Sequence, residues 1–198
     1  MAIMPHPERT LGNEADDLFK SMRNYMESDD PFSFKSLNFS SKKINIKKFK
    51  KPAKQNEILV STIIADNEAA SVEKCINSLG VKAKVKKYLH FEIDATDRLD
   101  INTIVSTDVL FNPSKEYIAN IKEESDIYRF LVRSKDDIVG QSLAQTLQDR
   151  FNLSGLKSIK KGVVWEVKIN SSRSKKDVDL ILNSHIFSNP ISQECHEY

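Results

Sequence analysis

The order of predicted strands and helices occurs twice in residues 57–198, and this internal repeat restricts the possible folds more than any other feature of the chain. The first copy predicts a strand, an amphipathic helix, one or two alternating strands, a helix and a strand at 57–64, 67–79, 85–94, 99–110 and 116–118. The second copy predicts a strand, a helix, a strand pair and a helix at 127–133, 139–151, 159–168 and 175–185. An Asn-Pro pair stops the last of these helices in each copy, because proline cannot continue a helix.

Three sequence anchors align the two copies. Asn112-Pro113 and Asn189-Pro190 lie 77 positions apart, whereas Phe91 and Trp165 lie 74 positions apart. A third match, Val85-Lys86-Lys87 with Ile159-Lys160-Lys161, has the same spacing of 74. Since these anchors keep the order of the predicted elements, we interpret them as a true repeat and not as a chance agreement between two α+β stretches.

The sequence predicts an α+β fold in which two tandem β-α-β-β-α-β-like units, residues 57–122 and 123–198, form a pseudo-dimer. A unit with so few strands buries little apolar surface alone, so we expect the two copies to pair their sheets. Phe91 and Trp165 are predicted core residues in equivalent strands, because each alternates with a charged neighbour, Glu92 or Glu166.

The first 56 residues have a different pattern. Residues 1–27 predict a short loop-helix segment, and Pro31 prevents that helix from continuing. Residues 28–56 predict a basic linker, since Ser40 to Lys54 contain seven lysines and no acidic residue. Few apolar residues lie in this run, which favours a solvated linker over a site for phosphate or RNA.

Composition limits the remaining possibilities. The 198 residues are 39% hydrophobic and 29% charged, with a net charge of +2, so the sequence predicts a soluble globular protein without a general nucleic-acid role. No apolar run approaches the ~20 residues that span a bilayer, and we expect neither a membrane anchor nor a secretory signal. The two cysteines predict a reducing, cytoplasmic setting without a structural metal. Five glycines, none in a phosphate-binding loop, predict no ATP site and no cofactor.

The beginning of the chain carries a possible catalytic motif, Met4-Pro5-His6-Pro7-Glu8-Arg9. The prolines favour an extended backbone, in which His6 and Glu8 project to the same side. A histidine base beside an orienting carboxylate is part of a Cys-His-Glu triad. The segment resembles the C-terminal end of the glutaminase subunit of phosphoribosylformylglycinamidine synthase, a class I glutamine amidotransferase. This resemblance implies that His6 and Glu8 are triad residues of a glutaminase.

The nucleophile of such a triad is missing from the sequence. A glutaminase needs a cysteine on a sharp, usually glycine-flanked elbow between a strand and a helix. Cys75 falls in a helical pattern, on the same face as Val72 and Ile76, where we expect a small buried hydrophobic residue. Cys195 lies in a terminal segment without glycine, which is a poor setting for a nucleophile. The sequence therefore predicts an incomplete triad and no glutaminase activity for the isolated chain.

Each copy of the repeat resembles the small structural subunit of the same synthase. That family has a D-P-Q-G turn before its first helix, a G-K pair before a strand and L-x-N-P after its second helix. The second copy here has Asp137-Ile138-Val139-Gly140, Lys161-Gly162-Val163 and Phe187-Ser188-Asn189-Pro190 at these places. The first copy keeps only Leu110-Phe111-Asn112-Pro113 and lacks the glycine turn.

The two resemblances imply a component of phosphoribosylformylglycinamidine synthase in de novo purine biosynthesis. The chain would hold the glutaminase and the ATP-dependent synthetase together for ammonia transfer, with those subunits as partners and a homo-oligomer left open. The alternative is a regulatory small-molecule binding module of ferredoxin-like fold. An RNA-binding protein that uses the lysine-rich linker is a third and weaker hypothesis. Co-purification of a synthetase subunit would favour the first, and a retained small ligand the second.

Overall fold

The computed structural model describes residues 16–28, 44, 46–52, 55–122, 124, 126–169 and 174–198. They fall into two compact units, one before and one after the boundary between Ser40 and Ser41. The described part of the first unit contains helix α1 (Asp16–Glu27), in which Arg23 and Glu27 form an exposed ion pair of 2.8 Å. The residues of the predicted triad, His6 and Glu8, lie outside the described residues.

The second unit is an α+β structure built on one mixed sheet of seven strands. Its strands are β1 (Lys47–Lys48), β2 (Asn56–Thr62), β3 (Ala83–Ala95), β4 (Glu116–Ile118), β5 (Ile127–Ser134), β6 (Leu156–Ile169) and β7 (Gln193–Glu197). Its helices are α2 (Asn67–Ser78), α3 (Ile101–Val105), α4 (Ile138–Phe151) and α5 (Ser174–Asn183).

The two longest strands lie side by side near the middle of the sheet. The strand order is β1-β7-β5-β6-β3-β2-β4, and every neighbouring pair is antiparallel except β1 with β7. β3 and β6 pair along their whole length, from Ala83 opposite Ile169 to Ala95 opposite Leu156, with an irregularity at Asp94. This central pair joins the two predicted copies, residues 57–122 and 123–198, into one sheet.

One face of the sheet carries the helices, and we call it the helical face. Phe91 and Trp165 both lie there and are 1% and 4% exposed, which confirms their prediction as core residues. Trp165 stacks on Phe187 with ring centroids 5.5 Å apart. Burying an aromatic side chain of this size is a large apolar contribution to stability.

The apolar core of the helical face forms two clusters, and each combines side chains from both copies. One cluster contains Ile76 of α2, in the first copy, together with Trp165 of β6 and Ile181 of α5. The other contains Leu147 of α4, in the second copy, together with Phe91 of β3. The first helix of each copy therefore packs in a core that the other copy helps to build.

Aspartates begin three of the helices. The side chains of Asp66, Asp100 and Asp137 accept hydrogen bonds from backbone N–H groups in the first turns of α2, α3 and α4. The carboxylate of Asp137 also accepts a hydrogen bond of 2.6 Å from the Lys161 N–H, which fixes the start of α4 to β6. Gly80 follows α2 with φ +86°, a left-handed conformation that favours glycine.

Three elements differ from the sequence prediction. The predicted strand pair of the second copy is one continuous strand, β6, whereas the single strand β3 agrees with the prediction of one or two strands in the first copy. α3 has five residues, because Asp100 caps its start and the chain leaves the helix after Val105. β7 was not predicted, since its polar sequence Gln193–Glu197 lacks the β-branched residues typical of strands.

Part of the predicted basic linker belongs to the sheet. Lys47 and Lys48 form β1, which lies parallel to β7, and the N–H of Phe49 donates a 2.6 Å hydrogen bond to the carbonyl of Glu197. The lysine run therefore includes an edge strand at 47–48. Lysine is common at sheet edges, where its charge opposes pairing with another chain.

Candidate functional site: the polar face of the sheet

The opposite face of the sheet buries charged side chains, and we call it the polar face. Side chains alternate along a strand, so Glu92 and Glu166 point away from the helical face that holds Phe91 and Trp165. Both glutamates are nevertheless buried, at 3% and 5% exposure. An apolar cluster on this face combines side chains of the strands with side chains of the segments around residues 49, 120 and 198. Its members are Leu59, Tyr88, Leu131, Val164, Phe49, Ala119, Ile121 and Tyr198. Helices α2–α5 contribute none of these residues.

Arg133 crosses one strand to reach its partner. Its Nη2 donates a 2.9 Å hydrogen bond to Oε2 of Glu92, although β6 lies between their strands β5 and β3. The position on β6 opposite Arg133 is Gly162. A Cβ atom there would lie 3.0 Å from Cγ of Arg133, so glycine leaves the space through which the arginine passes. Lys160 adds a second cation, with Nζ 3.3 Å from Oε1 of Glu92.

His90 connects this ion pair to a second carboxylate. The ring is completely buried, and its Nε2 forms a short hydrogen bond with Glu57. Nδ1 lies 3.3 Å from Nη2 of Arg133, which can only donate. Because both ring nitrogens are engaged, His90 has no free nitrogen to act as a base toward a substrate.

The hydrogen bonds of Glu57 determine its ionisation. Burial acts to raise the pKa of its carboxyl group, but the hydrogen bond and charge of His90 oppose this effect. The hydroxyl of Tyr198 donates a further hydrogen bond, and the ammonium of Lys51 is 3.9 Å away. The net result is a pKa below the usual value of 4.5. Glu57 is therefore ionised at neutral pH despite its position.

The lysine-rich segment supplies an aromatic lid for this network. The ring of Phe49 stacks on Tyr198 at 5.7 Å and meets the ring of His90 edge-on at 5.8 Å. The guanidinium carbon of Arg133 lies 4.9 Å from the centre of the Phe49 ring, a cation–π contact. These contacts explain why β1 is held on the sheet although four lysines surround Phe49 at positions 47, 48, 50 and 51.

A second charged cluster lies toward the other end of β6. Oε2 of Glu166 accepts a 2.8 Å hydrogen bond from Nε of Arg129, and Oε1 lies 3.6 Å from Nζ of Lys86. The Tyr88 hydroxyl lies 3.4 Å from the same carboxylate. Burial and the negative charge of Glu166 raise the pKa of Tyr88 to about 12. The polar face thus holds two carboxylates, each with an arginine and a lysine.

A cleft of about 970 Å³ opens beside Arg133 and Lys160. Its walls come from the 47–50 segment, the loop between β5 and α4, the start of β6, and β7. The lining has six basic and three acidic residues. The basic ones are Lys47, Lys48, Lys50, Arg133, Lys135 and Lys160.

The structure corrects one of the cysteine predictions. Cys75 is exposed and not a buried hydrophobic residue, because α2 turns Ala69, Val72 and Ile76 toward the core. Cys195 is buried in β7 on the helical face. Burial raises the pKa of its thiol to about 11, which makes it a poor nucleophile.

The sequence analysis did not identify the residues of the polar face. Glu57, His90 and Arg133 each stand at a position that alternates with apolar residues, which usually indicates solvent exposure. One signal was present in the sequence: at the spacing of 74, Lys86 matches Lys160 and Glu92 matches Glu166. Only the strand pairing shows that these charges face each other.

No model of a protein family matches the chain, and no curated protein matches it significantly. No helix of the described residues combines the length and apolar character that crossing a bilayer requires. In the same part of the chain, no group of three or more His, Cys, Asp and Glu side chains is arranged to hold a metal ion.

Proposed function

We propose that this chain is a non-catalytic component of phosphoribosylformylglycinamidine synthase in de novo purine biosynthesis. In this role, residues 57–198 form a pseudo-dimer of two units that resemble the small structural subunit. The chain holds the glutaminase and the ATP-dependent synthetase together, in the cytoplasm, so that ammonia passes between them without escaping to water. His6 and Glu8 are, in this proposal, two triad residues without a nucleophile in this chain.

The register of the central strands carries the proposal. Leu89 lies opposite Val163, and these two residues are 74 positions apart. Two further opposite pairs, Lys86 with Glu166 and Lys160 with Glu92, are related to each other by the same spacing. A two-fold axis through the Leu89–Val163 pair would exchange each residue with its counterpart in the repeat. This register supports a pseudo-dimer, since a two-fold dimer uses the same surface on both partners.

The two Asn-Pro turns give independent support. Oδ1 of Asn112 accepts a 3.0 Å hydrogen bond from the N–H two residues later, and its own N–H donates 2.8 Å to the side chain of Glu116. Asn189 makes the same two bonds, at 3.0 Å and at 2.8 Å to Gln193. Both turns thus have the same geometry 77 positions apart, which supports the common origin of the two copies.

The clusters of the helical face supply a physical reason for the doubling. Because α2 packs in a core with Trp165, and α4 in a core with Phe91, neither copy encloses its first helix by itself. A single unit would expose this apolar surface to water, at a cost of about 25 cal/mol per Å². This supports the proposal that the two units act together as one structural component.

Exposed apolar side chains at equivalent places supply a contact surface for partners. Ile64 in the loop before α2 and Ile138 at the start of α4 lie 74 positions apart, and both are exposed. Ile63 and Val139, which adjoin them in sequence, are exposed as well. Exposed apolar patches of this kind often mark protein–protein contacts. We therefore assign the docking of the synthetase to the loop before α2 and the first turn of α4.

Reconstitution of the amidotransferase tests this function. The chain is mixed with glutaminase and synthetase subunits, and amidine formation is followed with glutamine and, separately, with free ammonia. We expect the chain to raise the glutamine-dependent rate and to leave the ammonia-dependent rate unchanged. Replacing both Ile64→Asp and Ile138→Asp should abolish the increase, whereas the control Leu180→Asp, an exposed position on α5, should keep it. If no complex forms and the chain changes neither rate, this function is wrong, and the small-molecule binding module becomes the better hypothesis.

A further inference from the structure

The basic cleft on the polar face has the dimensions of a ligand site. Its volume of about 970 Å³ is comparable to that of pockets that bind small molecules, about 300–1,000 Å³. The Lys47–Lys50 segment forms one wall, and the ends of β5 and β6 form the floor with Arg133 and Lys160. Since β1 pairs with β7, the wall is fixed by backbone hydrogen bonds to the sheet.

The charge of the cleft favours an anion, because its lining has six basic and three acidic residues. One of the carboxylates, Asp137, is occupied by the N–H groups of Gly140 and Lys161 at 2.8 and 2.6 Å. Glu194 lies 3.4 Å from Nε2 of His196. The third carboxylate is that of Asp136, in the loop between β5 and α4.

Two cations on the floor share a single carboxylate. Arg133 and Lys160 both contact Glu92, which is itself buried, so one positive charge remains uncompensated at this point. Nε of Arg133 is a buried donor without a hydrogen-bond partner among the described residues. Arg133, Lys160 and Lys47 all line this cleft, and guanidinium and ammonium groups are the usual protein ligands of phosphate.

The arrangement favours a small molecule over a nucleic acid. A nucleic-acid site needs basic residues along an extended track and aromatic rings on which bases stack. Here the basic residues line one cleft, and Phe49, the one Phe, Tyr or Trp in its lining, is already stacked on Tyr198. We propose that this cleft binds a small phosphate-bearing molecule, held by Lys47, Arg133 and Lys160. The proposal goes beyond the structural role and holds whether or not that role is correct.

Titration of the full chain with inorganic pyrophosphate, followed by calorimetry, tests the proposal. We expect saturable binding at one site, weakened about tenfold by Lys160→Gln, because one charge-assisted contact is lost. The matched control is Lys168→Gln, which lies on the same strand with similar exposure, 47% against 54%, and also contacts a carboxylate. This control should bind as the wild type does. Comparable weakening by both variants, or no binding to the wild type, would overturn the site.

A second variant protects the test against a folding defect. Lys160→Gln also removes a partner of Glu92, so its thermal unfolding is measured in parallel. Lys47→Gln, on the edge strand, leaves Glu92 untouched and should weaken pyrophosphate binding as well. The affinity for ADP, compared with that for pyrophosphate, identifies the class of ligand. Tighter binding of ADP would mean that the cleft recognises a nucleotide, and equal binding would mean that it recognises only the phosphate groups. A single-stranded oligonucleotide is tested as well. The proposal would be contradicted if the oligonucleotide binds, pyrophosphate does not displace it, and neither Lys47→Gln nor Lys160→Gln changes its affinity.

Discussion

Both faces of the sheet contain buried side chains, but different interactions stabilise them there. On the helical face, Phe91 and Trp165 are covered by α2–α5 and contact other apolar side chains. On the polar face, Glu92 and Glu166 are covered by neighbouring strands, and each contacts an arginine and a lysine. Apolar transfer stabilises the first face, whereas pairing of charges makes burial of the second face tolerable.

This difference shows what alternation along a strand means. A period of two separates the two faces of a sheet, but it does not say which face water reaches. Glu92 and Glu166 follow the pattern expected of exposed residues and are nevertheless shielded. A buried charge without partners would be costly, so the arginines and lysines around each glutamate are what permits this arrangement.

The largest expected effect is on the helical face. Trp165→Ala should lower the free energy of unfolding by about 3–5 kcal/mol, because it opens a cavity against Phe187 and removes a buried aromatic ring. Urea or guanidinium unfolding measures this loss. The control Leu180→Ala, exposed on α5, should change stability by less than about 0.5 kcal/mol. A loss below about 1 kcal/mol for Trp165→Ala would show that this face is not the main core.

Substitutions on the polar face should lower the free energy of unfolding by less, and the effects of two substitutions should not add. Arg133→Met leaves Glu92 with Lys160 as its remaining cation, so we expect a loss of about 2–3 kcal/mol. Adding Glu92→Met should restore part of that loss, since no buried carboxylate then lacks its partner. A double-mutant cycle in denaturant measures the coupling. The exposed pair in α1, at 2.8 Å against 2.9 Å for Arg133 and Glu92, is the control, and Arg23→Met should have little effect. Strictly additive losses at Arg133 and Glu92 would mean that the two side chains do not depend on each other.

The smallest effect is a difference in pH dependence on the polar face. The pKa of Glu57 is lower in the folded protein than its usual 4.5, so the ionised carboxylate stabilises the fold above that value. This contribution is lost as the pH falls through the folded pKa. Between about pH 5 and 3, the wild type should therefore lose stability more steeply than Glu57→Gln. Urea unfolding at each pH gives both slopes, and equal slopes would mean that His90 and Tyr198 do not stabilise the ionised form.

Local sequence signals predicted most of the elements. The apolar period predicts α2, which begins after the Asp66 cap in the structure, and the Asn-Pro pairs mark the turns before β4 and β7. Alternation placed Phe91 and Trp165 on one face, which the structure confirms. β7 escaped prediction because its residues are polar, and it becomes a strand through its hydrogen bonds to β5.

The candidate site depends on residues that are distant in the sequence. Arg133 reaches Glu92 only because β6 lies between them and has Gly162 at the crossing point. Glu57, His90 and Tyr198 come from three separate parts of the chain, and Phe49 covers them from a segment predicted to be solvated. No local sequence pattern predicts which of these strands pair with each other.

The sequence by itself determined most of the helices, the main strands and the apolar face, since periodicity, caps and turn residues act within a few positions of each other. The tertiary structure alone decided that the second face is buried, that its charges are paired and that six basic residues converge on one cleft. The physical reason is that the environment of a charge depends on its neighbours across the sheet. Those neighbours are set by the register of β3 on β6 and of β5 on β6.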